Sequence, residues 1–158
     1  MTWTLTGRQG LAAIVAGLAG AVLLHVCLLL IGPALSPALA LTPAALYTFI
    51  ASTLVGPGAA AADPRFVWLG VGLHLAVSLG WALGYVYAAR SLGQLLRRPV
   101  ISGLLFGLVI YFTMLLVLVA ANLFTKPTPG SVGFGLLANC VFFGLPVALI
   151  VAGMAKER

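Results

Sequence analysis

The sequence predicts an all-α polytopic membrane protein, four transmembrane helices in one bundle with a short extra helix on the outer side. Three observations lead to that class. Hydrophobic residues make up 63% of the chain and charged residues 6%, whereas a soluble domain carries about 25% charged residues and could not cover a water-facing surface with so few. Mean hydropathy is +1.21. Apolar runs at about 9–31, 66–89, 99–124 and 132–154 each reach the ~20 residues that a bilayer core requires of a helix. The 158 residues are read as a single four-helix domain.

The first span follows Arg8 and carries Ala13, Gly17 and Ala21 at every fourth position, with His25 toward its far end. Arg8, the apolar run and "ALA" at 38–40 imitate the three regions of a signal peptide. The run is about 20 residues long, beyond the usual 7–15, so it is expected to be retained as a span. The connection 32–65 is apolar yet broken by Pro33, Pro37, Pro43, Pro57 and Pro64. Within it "TPAALYTFIASTLVG" reads as one helix over about 43–55. Thr42 caps it, Pro43 suits the first helical position, and Gly56-Pro57-Gly58 stops it. At 1.5 Å per residue it reaches only about 20 Å, too short to cross, so it should lie along the outer interface or dip in and return.

The second span, "GVGLHLAVSLGWALGYVYAA", carries two stripes. Gly72, Ala76, Gly80, Gly84 and Ala88 place a small residue at every fourth position. Since lipid supplies no hydrophobic drive between helices, such a groove lets backbones approach closely. It is expected to pack against the small residues of the first span and against Gly103 and Gly107 of the third, or to form a seam between two copies. The other stripe is His74, Ser78, Trp81 and Tyr85, spaced as one helical face. In the fourth span Pro146 removes a backbone donor, leaves the Phe142 carbonyl without its usual partner, and predicts a kink.

His25 and His74 should lie within about 3 Å of one depth if the first two spans are antiparallel. Asn139, Asn122 and Tyr111 fall in the same outer half, which suggests a polar layer whose members satisfy one another, because an unpaired polar group in hydrocarbon is costly. Three functions suit such a layer. It can fix helix register with neutral histidines. It can hold a b-type haem between His25 and His74, or a chlorophyll-type pigment on one of them. It can also serve a proton or small-solute path. Against transport, the only acidic residues are Asp63 and Glu157, both outside the spans.

The formal net charge is +6, but Lys and Arg are scattered singly rather than interleaved with aromatics on one face, which excludes nucleic acid as a partner. Arg8, Arg90, Arg97, Arg98, Lys156 and Arg158 fall on one side of the spans and Arg65 and Lys126 on the other. The bias places both termini and the Arg-rich loop in the cytoplasm. Cys27 and Cys140 sit in apolar segments with no C-x-x-C spacing and are read as small buried hydrophobes. No paired carboxylates, HExxH, phosphate loop or nucleophile motif occurs, so neither catalytic residues nor a metal site is expected.

"GLHLAVSLGWALGYVYAA", a short basic loop and then "GLLFGLVIY" resemble a broad group of small four-helix bacterial inner-membrane proteins, the YagU-like ones among them. The resemblance spans about residues 8–150 and rests mostly on glycines. Where that group would place a second histidine in its fourth helix, this chain has Asn139. The resemblance implies a bacterial inner-membrane location. The reading that joins these expectations is a structural or accessory subunit without catalytic machinery, whose partners are the bilayer and either other membrane subunits or a second copy. The rivals are the pigment carrier and the small transporter.

Overall fold

Thr6 starts the first helix by a reciprocal cap. Its hydroxyl accepts from the Gln9 N–H, and the Gln9 side chain accepts from the Thr6 N–H, which satisfies two donors that a helix start otherwise leaves unpaired. In the computed structural model, which describes residues 6–35, 41–124, 126 and 128–156, helix α1 then runs Gly7–Leu35. The "ALA" at 38–40 lies outside the described residues. Helix α2 is Pro43–Val55, with the Thr42 hydroxyl accepting from the Ala45 N–H at 3.1 Å. Gly56, at φ +84°, turns the chain into a short α3, Pro57–Ala62; a residue with a Cβ would be strained in that conformation. Helix α4 is Phe66–Ser91, α5 the single turn Gln94–Arg97, α6 Pro99–Ala120 and α7 Pro129–Lys156.

Four of these helices, α1, α4, α6 and α7, are long and apolar enough to cross a membrane; the protein is an all-α, multi-pass membrane protein. The third span stops earlier than its apolar run suggests. Ala120 is its last residue, and Asn122 takes a left-handed conformation at φ 55°, the amide-bearing alternative to glycine at a helix C-terminus. The first span runs on to Leu35, through Pro33.

Among the described residues two segments are wider than α-helical, and each is followed, one residue on, by a proline. Cys27–Ile31 is π-helical ahead of Pro33, with the Gly32 N–H bonded to the Cys27 carbonyl. Ala138–Gly144 is π-helical ahead of Pro146, with the Leu145 N–H bonded to the Cys140 carbonyl. A proline lacks the N–H that would close the turn, and its ring crowds the carbonyl four residues back. Widening the preceding turn relieves that crowding and keeps the other carbonyls bonded. The disturbance expected at Pro146 thus takes the form of a π-helical segment.

The spans pack in the order α4, α1, α7, α6, with α1 and α7 in the middle. α1 contributes the small residues: Ala12, Ala13, Ala16, Gly17, Gly20 and Ala21 are all buried. A Cβ on Gly17 would lie 3.0 Å from Leu79 Cα, and one on Gly20 would lie 3.0 Å from the Phe143 ring. Gly17 is therefore the contact with α4 and Gly20 the contact with α7. Between α6 and α7 the approach is closer still. A Cβ on Gly103 would meet Leu145 Cα at 2.8 Å, and one on Gly107 would run into the backbone of Asn139 and Cys140. The core joins Ala82, Tyr85, Val86, Ile110, Phe143 and Val147, and Phe106 of α6 reaches α4 through Trp81 and Tyr85 at ring separations of 5.9 and 4.9 Å.

One expected contact is corrected. Gly72, Ala76, Gly80 and Gly84 are exposed, and a Cβ on Gly72, Gly80 or Gly84 would meet nothing within 4 Å. α4 packs inward with the opposite face, through Ser78, Ala82, Tyr85, Val86 and Ala89. Only one of two packed helices need be small for their axes to come close, and α1 supplies that surface.

Candidate functional site

At the end of the bundle away from Arg8 and Arg90, α1, α2 and α4 bring three aromatic side chains together. The His25 and His74 rings meet edge to face with centroids 4.5 Å apart, and Tyr47 of α2 stacks on His25 at 4.8 Å. The two histidines are thus neighbours, as their depths predict. Tyr47 has no place in the sequence reading; its signal was its position one turn into a helix expected to be interfacial. α2 reaches the histidines because it packs tightly on α4. Gly70 of α4 lies against the Tyr47 backbone so closely that a Cβ there would overlap the Tyr47 carbonyl and sit 2.9 Å from Tyr47 Cα. The helix over 43–55 is a packed member of the bundle.

The hydrogen bonds set the chemistry of the pair. Nδ1 of His25 lies 3.2 Å from the Ala21 carbonyl one turn back. A carbonyl can only accept, so Nδ1 donates, and a neutral imidazole that spends its one N–H in this way presents a lone pair at Nε2. Nε2 of His25 and Nε2 of His74 are both buried without a hydrogen-bond partner. The rings form part of the lining of an apolar groove of about 480 Å³, whose other walls are Ala21, Val22, Val26, Leu29, Leu30, Tyr47, Val71 and Leu75.

The rings stand in direct contact, with centroids 4.5 Å apart, at the tight end of aromatic contact; a macrocycle held between them would need the rings to part. Among the described residues no group of three His, Cys, Asp or Glu side chains gathers as metal ligands.

The expected outer polar layer divides into separate local arrangements. Asn139 donates to the Gly135 carbonyl of its own helix at 2.9 Å. Asn122 is exposed at the end of α6. Tyr111 is buried at 8% exposure, stacked edge-on with Phe112 and lying over Gly135. Trp81 packs on Phe106, and Ser78 is buried where α4 meets Gly17 of α1. Tyr85 belongs to the opposite end of the bundle. Its hydroxyl lies 2.9 Å from the Ser102 hydroxyl, whose single proton has the Leu95 carbonyl at 2.9 Å and the Arg98 carbonyl at 3.0 Å within reach as acceptors. Ser102 thereby ties α4, α5 and the start of α6 into one corner. A second cleft, of about 430 Å³, lies at this end and includes Arg8, Gln9, Val86, Arg90 and Val151 in its lining. It shares no lining residue with the histidine groove.

No family model matches the chain, and neither a curated protein nor a solved structure matches it.

Proposed function

We propose that this membrane protein is a structural or accessory subunit that binds a partner helix along the outer face of α4, in a bacterial inner membrane with both termini in the cytoplasm. One observation carries the reading. Gly72, Ala76, Gly80 and Gly84 form an exposed ridge of small residues on a 26-residue span, and the three glycines meet nothing within 4 Å. Facing lipid, such a ridge forgoes the van der Waals contacts that a larger side chain would make. Facing another helix, it allows close backbone approach and gains them. The likeness to the YagU-like group supports the bacterial setting, and the six Lys and Arg on one side of the spans support the orientation. The two clefts at opposite ends share no residue, which favours a packing role over a solute path.

The test is cross-linking in native membranes. With Cys27 and Cys140 both replaced by alanine, a Gly80→Cys chain labelled with benzophenone maleimide should form a protein adduct on irradiation. A Leu116→Cys chain, placed on the exposed side of α6 at 69% exposure, should not. Gly80→Ile should abolish association measured by native mass spectrometry. An adduct with a second copy identifies a homodimer, and an adduct with another membrane protein identifies an accessory subunit. Equal yields at Gly80 and Leu116 would overturn the reading.

A further inference from the structure

The histidine groove has a property that the packing role of α4 does not use. His25 and His74 both line it, and the Nε2 atom of each is buried with no partner in the protein, while the remaining walls are aliphatic and aromatic. Nδ1 of His25 is committed to the Ala21 carbonyl, so its Nε2 carries a lone pair. Left unpartnered in apolar surroundings, that lone pair calls for a ligand that brings a donor.

The walls specify the rest of that ligand. Val22, Val26 and Leu30 are 62%, 41% and 67% exposed on a membrane-spanning helix, so the groove opens toward lipid and an occupant arrives from the bilayer. The His25 ring, in contact with Tyr47 at 4.8 Å and with His74 at 4.5 Å, makes with them a cluster of faces and edges on which a flat ring packs. A volume of about 480 Å³ accommodates one aromatic head and the start of an aliphatic tail. Each Nε2 has under 1 Å² of accessible surface, so the head reaches it by displacing wall side chains, and water alone is poorly held by such walls.

We propose that this groove is a binding site for a lipophilic hydroquinone, with a phenolic hydroxyl donating to Nε2 of His25 and the tail lying along Val22, Val26 and Leu30. The donor requirement makes the site selective for oxidation state. The hydroquinone presents an O–H group to the His25 lone pair, whereas the quinone presents only carbonyl oxygens, which repel it. An aliphatic alcohol shares the donor but lacks the ring.

The full-length chain in phosphatidylcholine nanodiscs, titrated anaerobically by calorimetry, tests this directly. Decyl-benzohydroquinone should bind saturably at one per chain, with decyl-benzoquinone and decanol each at least about tenfold weaker. His25→Phe keeps a ring in the cluster and removes the acceptor; it should weaken hydroquinone binding at least about fivefold, as expected for a lost hydrogen bond in an apolar site. Leu30→Trp, at the exposed rim, should block the groove while leaving both histidines and helix content by circular dichroism unchanged. Equal binding of the quinone or of decanol, hydroquinone binding that survives His25→Phe, or unsaturable partitioning would each overturn the proposal. So would a tetrapyrrole absorption band in the purified protein that disappears in His74→Ala.

Discussion

Replacing Gly103 by alanine tests the account of α6 and α7 at one of the close contacts of their seam. The added Cβ would stand 2.8 Å from Leu145 Cα, 2.9 Å from the Gly144 carbonyl oxygen and 2.9 Å from Ala148 Cβ. None of these three atoms can rotate away, because two are backbone and the third is fixed to it. An ordinary contact begins near 3.4 Å, so the helices must separate locally by about 0.6 Å. A gap of ~0.5–1 Å forfeits a quarter to a half of each dispersion contact it opens, and the loss runs along a seam that also holds Gly107 and Gly144. Overpacking of this kind costs about 1–3 kcal/mol. Gly80→Ala is the control, since its Cβ would meet nothing within 4 Å and should leave the stability of the single chain unchanged or slightly improved. Unfolding in increasing mole fraction of dodecyl sulfate, followed by circular dichroism in mixed micelles, reads both. Gly103→Ala and Gly144→Ala should also combine less than additively, because they relieve one another's contact. If Gly103→Ala unfolds at the same detergent fraction as Gly80→Ala, the α6–α7 seam is not what holds those helices together.

Tyr85→Phe removes the hydroxyl that lies 2.9 Å from Ser102 but leaves Ser102 its carbonyl acceptors, so the cost should be about 1 kcal/mol in the same detergent titration; no shift at all would dismiss the corner as a stabilising element. Outside the membrane, Asp63 accepts from the Arg65 guanidinium, with an ion pair at 2.7 Å, and from the Arg65 N–H at 2.9 Å. The Arg65 bonds hold its carboxyl below the ordinary value of 3.8. A lowered carboxylate contributes stability that is present above the ordinary value and lost as pH falls through the lowered one. A carbon-detected titration of Asp63 should therefore move back toward 3.8 in Arg65→Gln, and an unchanged midpoint would show that the pair forms only transiently.

How much of this was legible in the sequence depends on what a bilayer asks of a side chain. The four spans follow from apolar length alone, and the meeting of His25 with His74 follows from counting residues inward along two antiparallel helices. Which face of α4 points inward does not follow, because in hydrocarbon both faces are apolar and burial leaves no polarity pattern. The glycine ridge looked like the packing face, yet Ser78, Ala82, Tyr85 and Val86 pack instead, since Ala13, Ala16 and Gly17 of α1 already supply the space. The polar layer was misjudged for a related reason. Asparagine and serine in a membrane helix can satisfy themselves on their own backbone, as Asn139 does on Gly135, so equal depth does not imply a network.

The histidine groove also depends on a residue that touches neither ring. Leu29 and Leu30, two of its walls, belong to the π-helical turn Cys27–Ile31, which exists because Pro33 cannot close an α-helical one. A π turn spends an extra residue per bond, so side chains beyond it are rotated about the axis relative to a regular helix. His25 lies before that turn and keeps the regular one-turn bond to Ala21, while Leu29 and Leu30 lie within it. The proline thus changes the angle between the floor of the groove and its wall without moving the floor. That division of labour lets the Ala21 carbonyl fix the histidine tautomer while the far end of α1 shapes the opening toward lipid.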